Sequence, residues 1–83
     1  MLKNVYAMYD KKAGLYSNLS VFDNGELAIR EFSNMIMSAN IQSIFFTHSP
    51  DFELYKIGEY DLESAKIESV NKVYLCSGGD FNA

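Results

Sequence analysis

A chain of 83 residues, 48% apolar and 22% charged, suffices for one domain and falls short of two. Its single cysteine excludes an internal disulfide framework, and its net charge of −4 excludes the broad basic surface on which most nucleic-acid binders rely. No run approaches the roughly 20 apolar residues of a membrane span, and Met1-Leu2-Lys3-Asn4-Val5 lacks the apolar core of a signal peptide, so a reducing cytoplasm is the expected setting.

Along the chain, Asn4-Val5-Tyr6-Ala7-Met8-Tyr9 alternates Val5, Ala7 and Tyr9 against Tyr6 and Met8, which predicts a strand apolar on both faces and therefore central. Asp10 to Gly14 is a polar turn closed by glycine. Leu15 to Phe22 predicts the returning strand, with Leu15, Ser17, Leu19 and Val21 on one face and Tyr16, Asn18, Ser20 and Phe22 on the other. Asp23 with Glu26 three residues later reads as a capping box. Ala28, Phe32, Met35, Ile36 and Ala39, widened by Leu27 and Ile29, then predict a helix of about four turns on a sheet, with Asn40 as its stop.

Ile44-Phe45-Phe46 reads as a short strand or a buried loop anchor, and Thr47 to Asp51 as a turn-rich connection. Phe52 to Tyr60 predicts a long strand, with Tyr55 and Ile57 on one face and Phe52, Leu54 and Tyr60 on the other. Asp61 to Ala65 turns the chain, and Lys66 to Cys76 returns it, with a bulge or bend at Asn71-Lys72. Residues 77–83 read as a flexible tail. The expected architecture is one α+β domain over residues 1–76, in the order β-β-α-β-β: two β-hairpins in a mostly antiparallel sheet, with one amphipathic helix on one face.

The chemistry-bearing residues are sparse. One His and one Cys, 28 positions apart, do not make a metal site. Cys76 lies among Tyr74 and Leu75 in an apolar strand and His48 in a polar turn, so no thiol catalytic set is expected with Asp80. Glu59, Asp61 and Glu63 lack the cleft of a hydrolase and the glycine of a calcium loop. Gly78-Gly79 lacks both the lysine and the following helix of a phosphate loop. Neither catalysis nor a cofactor is expected.

Aromatic residues carry more information, since six Tyr and six Phe make up 14% of the chain. Tyr6, Tyr9 and Tyr16 beside Lys3, Lys11 and Lys12 form a candidate stacking platform for single-stranded bases, with Arg30 on the helix as a further phosphate contact or a surface ion pair. Tyrosines that fill a pleated sheet with their hydroxyls in water have the same signature. Charge is distributed unevenly: residues 1–22 carry +2 and residues 51–70 carry −4.

Three segments together resemble a known family: Val5-Tyr6-Ala7-Met8-Tyr9-Asp10, Ala28-Ile29-Arg30-Glu31-Phe32, and Ser49-Pro50-Asp51-Phe52-Glu53-Leu54-Tyr55-Lys56-Ile57-Gly58-Glu59-Tyr60-Asp61. In this order they resemble the small nonstructural protein of gokushovirus-type microviruses, bacteriophages with circular single-stranded DNA genomes, over residues 4–68. The resemblance implies a non-enzymatic DNA-binding role in the host cytoplasm, favouring synthesis and packaging of single-stranded genomes over further double-stranded replication. It brings no catalytic residues. The alternative expectation is an acidic protein-interaction module acting on a replication initiator, a host replication factor or the procapsid. A homodimer is expected under either reading, because a sheet edge in so small a domain invites pairing.

Overall fold

The computed structural model describes residues 1–17, 19–38 and 43–81. Strand β1 (Leu2–Asp10) runs through the middle of an antiparallel sheet, as its apolar faces predict. Strands β2 (Leu15–Tyr16) and β3 (Ser20–Phe22) pair along one side of β1, β4 (Phe52–Asp61) pairs along the other, and β5 (Ile67–Ser77) lies outside β4. Consecutive residues Val5, Tyr6 and Ala7 are all buried, which only a strand with neighbours on both edges and cover on both faces achieves. The expected α+β class holds.

Helix α1 (Gly25–Met37) lies on one face of this sheet. Its buried positions, Ala28, Phe32 and Ile36, recur every four residues and meet Tyr6, Phe52, Leu54 and Cys76. The N-cap is Asn24 rather than Asp23: the Asn24 side chain accepts the Leu27 N–H at 2.9 Å. Asp23 is drawn away because its carboxylate pairs with Lys3 and its carbonyl accepts from Asn4 Nδ2 at 3.1 Å. Asn18, Ala39 and Asn40, to which the sequence assigned a strand face, the end of the apolar stripe and the helix stop, lie outside the described residues.

Four further expectations change. First, the returning strand is broken into β2 and β3. Ser17 Oγ accepts the Met8 N–H at 3.0 Å, so a side chain takes a donor that a continuous ladder would pair with backbone. Pairing shifts by one residue across this break, from Tyr9 opposite Tyr16 to Tyr6 opposite Ser20. Tyr16 and Phe22 therefore part company: Phe22 turns under the helix, 6.0 Å from the Tyr6 ring, while Tyr16 follows Tyr9 to the other face.

Second, Ile44–Thr47 is a single helical turn, α2, not a strand. Ser43 caps it by accepting the Phe45 N–H at 3.1 Å, and Phe45 stacks against Phe52 at 4.8 Å. Third, Ile57 is an extra residue between the Tyr6–Lys56 and Val5–Gly58 pairs, which interrupts the alternation expected to run through to Tyr60. Gly58 is needed there, since a Cβ would sit 2.7 Å from the Glu68 carbonyl oxygen. The expected irregularity at Asn71-Lys72 is present, where Val70 to Lys72 stand opposite the lone Ile57.

Fourth, residues 77–81 belong to the fold, where a flexible tail was expected from residue 77; residues 82–83 lie outside the described residues. Ser77 and Asp80 form a capping box around a 3-10 turn at Gly78–Asp80. Gly78 packs so tightly onto the Ser49–Asp51 turn that a Cβ would lie 2.3 Å from the Ser49 carbonyl. Phe81 then meets Phe32 edge-on at 6.2 Å. Here the two glycines serve close approach of backbone, not mobility.

Candidate nucleic-acid interface

On the face of the sheet opposite α1, four tyrosines from four strands form a row: Tyr16 on β2, Tyr9 on β1, Tyr55 on β4 and Tyr74 on β5. Ring centroids are separated by 4.6 Å (Tyr9–Tyr16), 6.4 Å (Tyr9–Tyr55), 6.1 Å (Tyr16–Tyr55) and 5.8 Å (Tyr55–Tyr74). The row exists because Tyr9 opposes Tyr16, Ala7 opposes Tyr55 and Tyr55 opposes Tyr74 across the ladders. A further irregularity makes it possible. Pairing shifts between Leu54–Cys76 and Tyr55–Tyr74, leaving Leu75 extra; Leu75 and Cys76 both face the core and Tyr74 turns out.

Tyr16 and Tyr74 are 42% and 51% exposed, so neither is sealed in a core. Lys72 completes the cluster. Its ammonium lies 5.2, 5.6 and 6.0 Å from the ring centroids of Tyr55, Tyr16 and Tyr9, within cation–π range of each, and donates to Tyr16 Oη at 2.8 Å. That hydrogen bond, followed by charge interactions with Tyr16 and, more weakly, Tyr55 and Tyr9, raises the Lys72 pKa, so the lysine is charged at neutral pH. Tyr55 donates to Glu53 Oε1 at 3.0 Å, and desolvation followed by this carboxylate pushes its pKa up. Burial and then the charges of Asp80 and Glu53 push Tyr74 up as well. The four rings thus gather around one cation.

Of the residues singled out from sequence, Tyr9 and Tyr16 lie in this row. Lys11 and Lys12 border it, in the exposed turn that follows Tyr9, where Asp10 Oδ1 accepts the Lys12 and Ala13 N–H groups. Three do not join. Tyr6 is 1% exposed and forms part of the core under α1, because strand alternation sends it to the opposite face from Tyr9. Lys3 is paired with Asp23, six residues or about 20 Å along β1 from Tyr9. Arg30 is exposed on α1, on the other side of the sheet. Tyr55, Tyr74 and Lys72 were missed; Lys72 and Tyr74 carry the i, i+2 signal of one strand face, but placing them beside Tyr9 requires the ladder registers.

β1 and β4 are in register from Leu2–Asp61 to Asp10–Phe52, so the Lys11-Lys12 turn and the β4–β5 turn stand at opposite ends of a molecule 42 Å long. At the second end, Asp61 accepts from the Glu63 N–H and Ser64 Oγ, which hold its carboxyl below the usual range, and the amino terminus lies 3.6 Å away. Glu59 and Glu68 line a small pocket with it. Elsewhere, Cys76 is buried and its thiol is pushed up to about 11, first by desolvation. His48 Nδ1 shares a 2.7 Å hydrogen bond with Thr47 Oγ1. Among the described residues, no helix is long and apolar enough to cross a membrane.

The fold and this surface define a small α+β protein whose sheet is covered by helices on one face and lined with tyrosine on the other. The chain belongs to the phage ORF5 protein family, whose model matches residues 3–81. It is similar to Protein ORF5 of Chlamydia phage 1, with 31% identity over 80 residues covering 92% of this chain and 83% of that protein. These matches bear out the resemblance to the small nonstructural proteins of gokushovirus-type microviruses. No solved structure matches the chain.

Proposed function

We propose that the tyrosine face binds single-stranded DNA by stacking bases, without catalysis, and that this binding supports the synthesis and packaging of single-stranded genomes in the infected cell. The observation that carries the reading is the row of Tyr16, Tyr9, Tyr55 and Tyr74 on the sheet face opposite α1, with one lysine over three of its rings. Base stacking on an aromatic ring contributes about 1–3 kcal/mol per base and tolerates any sequence. Stacking, not phosphate neutralisation, is the larger part of this affinity. Lys11, Lys12 and Lys72 are the cations in or beside the row, and the carboxylates of Glu53 and Asp80 act on Tyr55 and Tyr74 within it.

This division has a measurable consequence. Each phosphate contact to a single strand contributes about −0.7 to the slope of log K against log salt, so three lysines give a slope no steeper than about −2. Fluorescence anisotropy with a labelled oligothymidylate of about ten nucleotides, a length that suits one small binding fold, should show saturable binding with that shallow slope. The Tyr55→Ala/Tyr74→Ala double variant should lose it while retaining the wild-type circular dichroism. No binding at tens of micromolar protein, or equal binding by the folded double variant, would overturn the reading.

A second reading is favoured by the end of the sheet where Asp61, Glu59 and Glu68 gather, with Lys66, around one pocket. There the chain would act as a protein-interaction module toward a basic partner, such as a replication protein or the procapsid. A pull-down from infected-cell lysate that keeps its partner after nuclease treatment, and loses it in a Glu59→Gln/Glu68→Gln variant, is the result this second reading requires.

A further inference from the structure

We propose that Lys72 is a displaceable occupant of the tyrosine face, covering the rings until bases stack on them and then moving to the phosphate that links two stacked nucleotides. The inference rests on the single-strand reading above and assigns a role within it to a residue outside the tyrosine row. A stacked base must come within about 3.5–4 Å of a ring. The Lys72 ammonium stands 5.2–6.0 Å from three centroids, so it and its stem take up the space into which such a base would enter. Lysine and base therefore compete for the same rings.

Two features make the lysine easy to displace. Its hydrogen-bond acceptor is the Tyr16 hydroxyl, and among the described residues it forms no ion pair with a carboxylate. A charged donor bonds more strongly to a phosphate oxygen than to a neutral hydroxyl. Lys72 also ends the Val70–Lys72 stretch, where β5 has three residues against one on β4 and the ladder is interrupted. Glu53, the carboxylate hydrogen-bonded to the row, is engaged by Tyr55. The anion that bases bring with them is the phosphodiester, which meets the freed ammonium at the rim of the stack. The occupant thus shields the tyrosine rings from unspecific contact and becomes a backbone contact once the strand is in place.

The test is the chemical shift of the Lys72 ε-methylene, read in protein with 13C-labelled lysine and assigned with the Lys72→Arg variant. Three nearby rings should move it upfield, and saturation with oligothymidylate should return it to the value of an exposed lysine. If the oligonucleotide binds and the signal stays upfield, the displacement is wrong while single-strand binding stands. If no oligonucleotide binds, both fall. A second readout is the salt dependence of Lys72→Ala. Its slope should be shallower by about 0.7, the share of one phosphate. Its affinity should fall below wild type at low salt and match or exceed it at high salt, where the uncovered rings are the remaining difference. An unchanged slope would overturn the proposal.

Discussion

Tyr6 and Tyr9 sit three residues apart on one strand and have opposite fates. Tyr6 lies beneath α1 with Phe22, Phe32 and Leu54, almost wholly removed from water, and burial raises its phenol pKa. Tyr9 lies in a row of tyrosines from four strands, with a lysine above it and partly exposed rings beside it. The helix-covered face follows the rules of a core: aliphatic and aromatic residues at helical spacing against alternate strand positions. The other face keeps Val5 and Ala7 buried, with Tyr55 opposite Ala7 in the ladder and Lys72 over the Tyr55 ring. An aromatic ring placed where water reaches it is available for contact with a ligand, whereas one under a helix contributes only to stability. Substitutions on the two faces should therefore separate into those that change folding and those that change binding.

The largest effect is expected on the core face. Ile36 is fully buried, so Ile36→Ala should lower stability by about 2–5 kcal/mol in urea unfolding. The fraction still folded should bind oligonucleotide as wild type does. On the open face, Tyr74→Ala should do the reverse. Loss of one stacking ring weakens binding by about 1–3 kcal/mol, roughly 5- to 150-fold. Stability should change by less than about 1 kcal/mol, because half of that side chain is already in water.

Cys76 sharpens the contrast through pH. Its folded pKa of about 11 lies above the ordinary 9.0, so the folded state holds the proton more tightly than the unfolded state. The resulting stabilisation is fully present below pH 9 and is lost as pH rises through 11. Comparing urea midpoints of wild type and Cys76→Ala between pH 8 and 10.5 should show a steeper decline in wild type, the variant keeping only the part due to the raised phenols of Tyr6, Tyr55 and Tyr74 and to Lys72. The smallest effect lies on neither face. Ala65 in the β4–β5 turn has a φ of 61°, a conformation that disfavours a Cβ. Ala65→Gly should raise stability by about 0.5 kcal/mol, the left-handed strain relieved less the entropy of glycine, with unchanged binding.

The helix and the central strand were legible in the sequence because their signals are local and periodic: Ala28, Phe32 and Ile36 at fours, Val5 to Tyr9 by twos. The tyrosine row was only half legible. Tyr9 and Tyr16 could be paired from the short turn between them. Tyr55 and Tyr74 join them through the β1–β4 pairing and through the extra residue Leu75, features that depend on contacts distant in sequence. Irregularities also misled locally. The break after Tyr16 sends Phe22 to the face opposite to the one simple alternation assigns, and the Gly78-Gly79 pair, which composition reads as a flexible tail, is a close-packed junction. Asn24 displaced Asp23 as the helix cap because Asp23 had a better partner in Lys3, a choice made by tertiary structure.

Amide chemical shifts read directly which face of the sheet meets DNA. Titrating 15N-labelled protein with oligothymidylate should move the resonances of Tyr9, Tyr16, Tyr55, Lys72 and Tyr74 together, with Lys11 and Lys12 at the margin, and leave those of α1 in place. Shifts gathered around Arg30 and the exposed side of α1, or none at saturating oligonucleotide, would contradict it.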